Sequence, residues 1–280
     1  MKIVVCLKHI IGLPSSGFAG SDASLRQTPN PLDLNAVEEA LRLRAESGSG
    51  EVLVVTVGPP QAELTLKRAI MMGADRAIRL WDEPMSGADS FLTAEVLCRI
   101  LKATGFDLVL CGARSADTGS GVIGALLAEQ LDLPLIAGAF GLKYDGRANR
   151  ISADKKLERG MRETYVACLP ALVTIERGPN EPRWYGADWV HRLLKHKVES
   201  RDLRSLGMSL SAQSRRVGIV AITPPRPRTK LGVNLASLSL EEKLRLMFGQ
   251  VRTSAAQASA GDRPEDAARK IKEHLDKWLG

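Results

Sequence analysis

The sequence predicts an α/β fold, a parallel sheet with helices on both faces, extended by antiparallel additions and a C-terminal arm. Three observations carry this. Between residues 2 and 140, short runs rich in Val, Ile and Leu alternate with stretches of helical periodicity. Those runs are apolar throughout, as strands covered on both faces are. Beyond them, Asp145-Gly146 separates two extended segments, which signals an antiparallel hairpin.

Taken in order, residues 2–8 (KIVVCLK) read as a buried strand. Residues 12–31 are rich in Gly, Ser and Pro and too long for a tight turn. Residues 32–46 have helical spacing, with Leu34, Val37, Ala40, Leu41 and Leu43 facing inward and Glu38, Glu39, Arg42 and Arg44 expected to face solvent. Residues 51–57 form a second strand, closed by Gly58-Pro59-Pro60, and 62–72 a helix stopped by Gly73. A strand at 77–80, a helix at 90–104, a strand at 108–111, a helix at 121–131 and a strand at 135–140 follow. One more strand is expected around 172–175, and 188–198 is amphipathic and basic. After a short apolar run at 217–222, residues 253–262 read as a tether and 264–279 as a last amphipathic helix. The expected organisation is a core over 1–205 and an arm over 206–280 that has no core of its own.

The chain has 280 residues, 44% of them hydrophobic, 25% charged and 4% aromatic, so Ala, Leu and Val fill the core. No apolar run reaches the roughly 20 residues of a membrane span. The net charge of +7 has a local surplus over 183–204. A basic face serves an acidic partner as well as a nucleic acid, and the strands lack aromatic platforms interleaved with Arg and Lys, so no nucleic-acid partner is expected. Cys6, Cys98, Cys111 and Cys168 form no C-x-x-C, and are expected to be free buried thiols in a reducing compartment. The first residues lack the apolar stretch of a signal peptide, so the expected location is cytoplasmic.

The most informative segment is DLVLCGARSADTGSGVIGALLAEQLDL, residues 107–133. A buried strand runs into a small polar loop, 112–120, and a helix begins near Gly121. Free amides and a helix N-terminus at the carboxyl edge of a parallel sheet favour an anion such as phosphate. Ser115, Thr118 and Ser120 add hydroxyls, while Asp117 would repel phosphate and is read as holding loop amides or a sugar hydroxyl. Residues 119–124 also satisfy G-x-G-x-x-G, but on a late βα unit, with Asp145 in a hairpin as the acidic partner. An NAD site, packing glycines and another nucleotide or phosphate ligand all remain open on these residues. No His pairs with a nucleophile motif, and neither H-E-x-x-H nor a P-loop occurs; no catalytic residue and no metal site are expected.

Several segments, in this order and spacing, resemble the electron transfer flavoprotein β-subunit family. They are Lys2 to Lys8; Asn30-Pro31-Leu32-Asp33 with V-E-E-A-L-R-L at 37–43; residues 54–59 with A-I-M-M-G-A-D-R-A-I at 69–78; D-L-V-L-C-G at 107–112; and L-P-A-L-V-T at 169–174 with Asn180-Glu181-Pro182-Arg183. The resemblance covers about residues 2–197. It implies a Rossmann-like, adenine-nucleotide-binding β subunit that is an electron carrier rather than an enzyme. It further implies a heterodimer with an electron transfer flavoprotein α subunit, which holds most of an FAD and passes electrons from a flavin-dependent dehydrogenase to a quinone oxidoreductase or similar acceptor. The β subunit would bind AMP structurally and pack its C-terminal arm on the α subunit.

Carried over by position, the nucleotide site is Cys6, Asn30, Pro31, Leu32, Asp33, Val57, Gly112, Ala113, Arg114, Ser115, Ala116, Asp117, Thr118, Gly119, Ser120, Gly121, Val122 and Ile123. Partner recognition falls near 183–198, with Trp184, Tyr185, Ala187 and Trp189 as contact residues. The family's [KR]-x-x-[DE]-[GD]-[GDE] signature is read at 156–161, with Arg159 for the acid and Met161 at its third position. Ala187 stands near the place of an apolar anchor, commonly Leu, and Val122 where Gln is common. The alternatives are a bifurcating-type β subunit with a second FAD of its own, against which Gly119 stands in place of a second acid, and a nucleotide-dependent enzyme on the same sheet.

Overall fold

The structure, a computed structural model, describes residues 1–12, 26–208, 216–218, 239, 241 and 243. Strand β1 (Lys2–Leu7) shows how the layers arise, because successive side chains of a strand point to opposite faces. Ile3, Val5 and Leu7 enter one apolar cluster with helices α1 (Pro31–Glu46) and α2 (Glu63–Met72). Val4 and Cys6 enter a second cluster with α3 (Ser90–Thr104) and α4 (Ile123–Leu131). Both faces being covered, the strand carries no polar alternation.

The other strands of this sheet are β4 (Glu51–Val57), β5 (Arg76–Leu80), β6 (Leu108–Gly112), β7 (Leu135–Asp145), β8 (Arg150–Lys156), β9 (Arg162–Cys168), β10 (Ala171–Ile175) and β11 (Val198–Arg201). They lie in the order β11-β5-β4-β1-β6-β10-β7-β8-β9. Pairing is parallel from β11 to β7 and antiparallel through β8 and β9. A separate antiparallel pair, β2 (His9–Gly12) with β3 (Arg26–Pro29), follows β1. From β1 the chain passes to β4, while from β6 it passes the other way, to β7. The two connections diverge, and the crevice between them at the carboxyl ends of β1 and β6 is where an open α/β sheet takes a ligand.

The α/β class and its order of elements agree with the sequence reading, and the departures have physical causes. β9 reads R-E-T-Y-V-A-C and escapes an apolar-run criterion because it is the exposed edge of the sheet. Cys168, at its end, is accordingly exposed rather than buried; Cys6, Cys98 and Cys111 are buried. β11 is short and polar, and pairs with β5 as the opposite edge. α4 starts at Ile123, not at Gly121, which has a left-handed φ of 65°. Glu38 and Glu39 are buried at 9% and 2% exposure instead of facing solvent, because the segment around 180–183 crosses that side of α1.

The chain divides into one unit over Met1–Gly218 and another over Ile219–Gly280. In the second, the Lys243 amide donates to the Ser239 carbonyl at 3.0 Å. The expected tether at 253–262 and terminal helix at 264–279 lie outside the described residues.

Gly124 fixes the distance between α4 and the sheet. A Cβ there would run into the Thr174 methyl of β10 and lie 3.3 Å from Cys111 Sγ of β6. Thr174 cannot swing away easily, since it is buried and its Oγ1 accepts the Gly138 amide at 2.9 Å. Glycine in a helix ordinarily costs about 1 kcal/mol relative to alanine, but overpacking a core costs about 1–3 kcal/mol. Gly124→Val is therefore expected to lower unfolding free energy by roughly 2 kcal/mol or more in urea titrations.

Candidate functional site

The crevice is built around one carboxylate. Asp33, in the first turn of α1, is buried at 4% exposure. Its Oδ2 accepts the Lys8 amide, just past the end of β1, at 2.6 Å. Its Oδ1 accepts the Gly112 amide, at the end of β6, at 3.0 Å, and the Asn30 Nδ2 at 2.8 Å. Gly112 must lack a side chain here, because a Cβ would collide with Asp33 Oδ1 and come within 2.9 Å of Leu32 Cβ. Burial pushes the Asp33 carboxyl up to about 7, against hydrogen bonds from Lys8, Asn30 and Gly112 that favour its charged form. The Cys6 thiol is pushed up to about 12 by burial and by the nearby Asp33 charge, so it is an inert thiol beside the site.

Asn30 extends the tie into the loop. Its Nδ2 also donates to the Arg114 carbonyl at 3.0 Å, and its Oδ1 accepts the Ala116 amide at 3.1 Å. The side-chain amide thus uses both its donors and its acceptor. The loop turns back through Gly119, whose amide donates to Ser115 O at 3.0 Å, and through Gly121, whose Cβ would stand 3.0 Å from Ala113 O. It ends at Val122, which offers no side-chain cap to α4, so the first amides of that helix face outward from its N-terminus.

Lys8 crosses this loop. Its Nζ donates to Asp117 Oδ1 at 2.8 Å and lies 3.3 Å from both Ser115 Oγ and Thr118 Oγ1. Although burial opposes it, hydrogen bonds from Lys8, Ser115 and the Thr118 amide hold Asp117 below the usual carboxylate range. Asp117 therefore does hold a loop amide, and it also neutralises a lysine. Pro31 is exposed, Leu32 half-buried, and Val57, half-buried, ends β4 on the far side of β1. The structure brings Asn30, Leu32, Asp33, Gly112, Arg114 and Ala116 together through direct contacts.

The residues read as partner contacts lie elsewhere. Trp184 is 84% exposed and packs edge-on against Tyr185 at 6.3 Å between ring centroids. Ala187 is exposed, and Trp189 opens the short helix α5 (Trp189–Lys195) with Val190 and Leu194 also exposed. β11 then docks on β5, and His196 Nδ1 lies 2.6 Å from the Asp75 carbonyl, which fastens the far end of the segment to the sheet.

Residues 21–202 match the family model described as the electron transfer flavoprotein domain. The chain belongs to the electron transfer flavoprotein β-subunit family. It is 33% identical over 199 residues to the electron transfer flavoprotein subunit beta of Bacillus subtilis, covering 70% of this chain and 76% of that one. It is 30% identical over 247 residues to the protein FixA of Azotobacter vinelandii, covering 82% and 86%. It is 29% identical over 219 residues to the caffeyl-CoA reductase-Etf complex subunit CarD of Acetobacterium woodii, covering 76% and 82%.

For this β-subunit family member, two features were not among the site residues read from sequence. Lys8 was visible only as the last residue of the opening strand motif; its reach to the 115–118 loop depends on β1 and β6 being neighbours. The second is the backbone of the segment read as the signature at 156–161. Arg159 and Gly160 both adopt left-handed φ, 56° and 79°, in the turn after Glu158.

The Asp33 carboxyl gives a pH signature. A folded-state value of about 7, against 3.8 for the ordinary group, means that the fold holds a proton the unfolded chain releases. Its contribution is fully present below pH 4 and is lost as pH rises through 7, up to roughly 4 kcal/mol. Asp33→Asn is expected to melt lower at acidic pH and to show a flatter melting-temperature profile between pH 4.5 and 7.5. An unchanged slope in calorimetric scans would contradict this assignment.

Proposed function

We propose that this chain is the β subunit of a heterodimeric electron transfer flavoprotein that holds AMP in the β1–β6 crevice. One observation carries the nucleotide reading. Asn30 and Asp33 consume the amides of Lys8, Gly112 and Ala116 and so shape the loop, while the Lys8 ammonium with its partner Asp117, the Ser115 and Thr118 hydroxyls and the α4 N-terminus lie together at one edge. Those donors suit a phosphate that takes Lys8 over from Asp117. The fold, the order of family motifs and the similarity to named β subunits support the same reading.

In this role the chain is an electron carrier subunit rather than an enzyme. An α subunit would hold most of the FAD, a flavin-dependent dehydrogenase would donate electrons, and a quinone oxidoreductase or similar protein would accept them. The exposed Trp184, Tyr185 and Trp189 supply aromatic anchors of the type that dominates protein docking. No helix among the described residues is long and apolar enough to cross a membrane. A second FAD in this subunit is the alternative reading, against which Gly119 lies where the bifurcating type often carries an acid.

Denaturing the purified protein should release one AMP per chain, identified by mass spectrometry, and the heterodimer should contain one FAD. Two flavins per heterodimer would establish the alternative, and no adenine nucleotide would remove both. Lys8→Met should weaken AMP binding about tenfold, the scale of one charge-assisted hydrogen bond, in calorimetric titration.

A further inference from the structure

Past its first turn, α1 carries three buried polar side chains, Asn35, Glu38 and Glu39, at 7%, 9% and 2% exposure. All three bind one segment from far along the chain. Asn35 Nδ2 donates to the Asn180 carbonyl at 2.9 Å, and Asn180 Nδ2 donates to Glu39 Oε1. Glu39 is also paired with Arg42 at 2.7 Å, which in turn donates to the Leu142 carbonyl. Glu38 takes three bonds from Arg183: the backbone amide at 3.1 Å, Nε at 2.8 Å and an Nη at 2.7 Å. Two motifs 145 residues apart in sequence, V-E-E-A and N-E-P-R, are thus halves of one clamp.

The clamp is obligatory for the acid. Glu38 has a side chain only 12% exposed, and a carboxylate that buried without its cation is costly. The guanidinium fork fixes Arg183 in direction as well as in place. The next residue, Trp184, is 84% exposed, so the chain passes from fully held to fully presented in one step. The same helix begins in the nucleotide crevice with Asn30 and Asp33. Glu38 lies five positions after Asp33, about 7.5 Å along the axis.

We propose that Glu38 and Glu39 are positioning residues for the exposed Trp184–Tyr185 pair, and that α1 passes order from an occupied crevice to that pair. The inference rests on the AMP and docking readings above. Its physical content is that AMP, by immobilising the first turn of α1, reduces the excursions of a rigid helix whose other side holds Arg183.

Amide hydrogen exchange on the purified full chain, stripped of nucleotide and then given AMP, tests this. AMP should slow exchange across 112–123, and also slow the amides of residues 183, 184 and 185 by about tenfold. In Glu38→Gln the protection of 112–123 should persist while the slowing at 183–185 disappears. Arg183→Lys, which keeps a cation beside Glu38 but removes the guanidinium fork, should do the same at 184 and 185. If AMP protects 112–123 but leaves 183–185 unchanged in the wild type, or if both variants still transmit the effect, the inference is wrong and the nucleotide reading stands. If AMP protects neither region, the nucleotide reading fails and the inference falls with it.

Discussion

Two parallel strands that end side by side leave amides pointing into the crevice between them, and buried amides need acceptors. In this protein a single carboxylate, Asp33, accepts from the end of each strand, at Lys8 and at Gly112. Because that carboxylate stands in the first turn of α1, the bonds also set where the helix lies against the sheet. Gly112 has no room for a side chain as a result. Asn30, held by the same carboxylate, then fixes the path of residues 114–116. The open edge of the loop, with Lys8 across it, is a consequence of this arrangement rather than a separate feature.

α1 serves the fold in three ways along its length. Its N-terminal turn shapes the crevice, its apolar side closes one core, and its acidic pair holds the segment before Trp184. This changes the meaning of the basic surplus over 183–204. Arg183 is paired with Glu38, Arg192 with Asp188 and Arg201 with Glu199, so three of its arginines are satisfied within the chain. The exposed aromatic and aliphatic side chains, Trp184, Trp189, Val190 and Leu194, define that surface more than its formal charge does.

The elements best read from sequence are those buried on both faces. β4 and α3 match their expected limits, 51–57 and 90–104, because a covered strand is continuously apolar and a covered helix is periodic. Edge elements were illegible for the complementary reason. β9 and β11 are stabilised by backbone pairing and by one neighbour, so their side chains are free to be polar. Within the site, Asn30 and Asp33 were legible as a motif, and glycines 112, 119 and 121 as a flexible loop. The partner of Lys8 was not, since a lysine at a strand end reads as an ordinary solvated charge.

By itself the sequence determined the alternation of strands and helices, the place of the polar glycine-rich loop at a strand's carboxyl end, and the family to which these motifs belong. Those depend on local periodicity and on short-range turn chemistry, which nearby residues specify. Only the tertiary structure decided that Glu38 and Glu39 are buried, that they grip residues 180–183, and that Lys8 answers Asp117. A charged side chain carries no mark of its own burial. Whether it is solvated or obligatorily paired depends on which distant segment the fold brings against it.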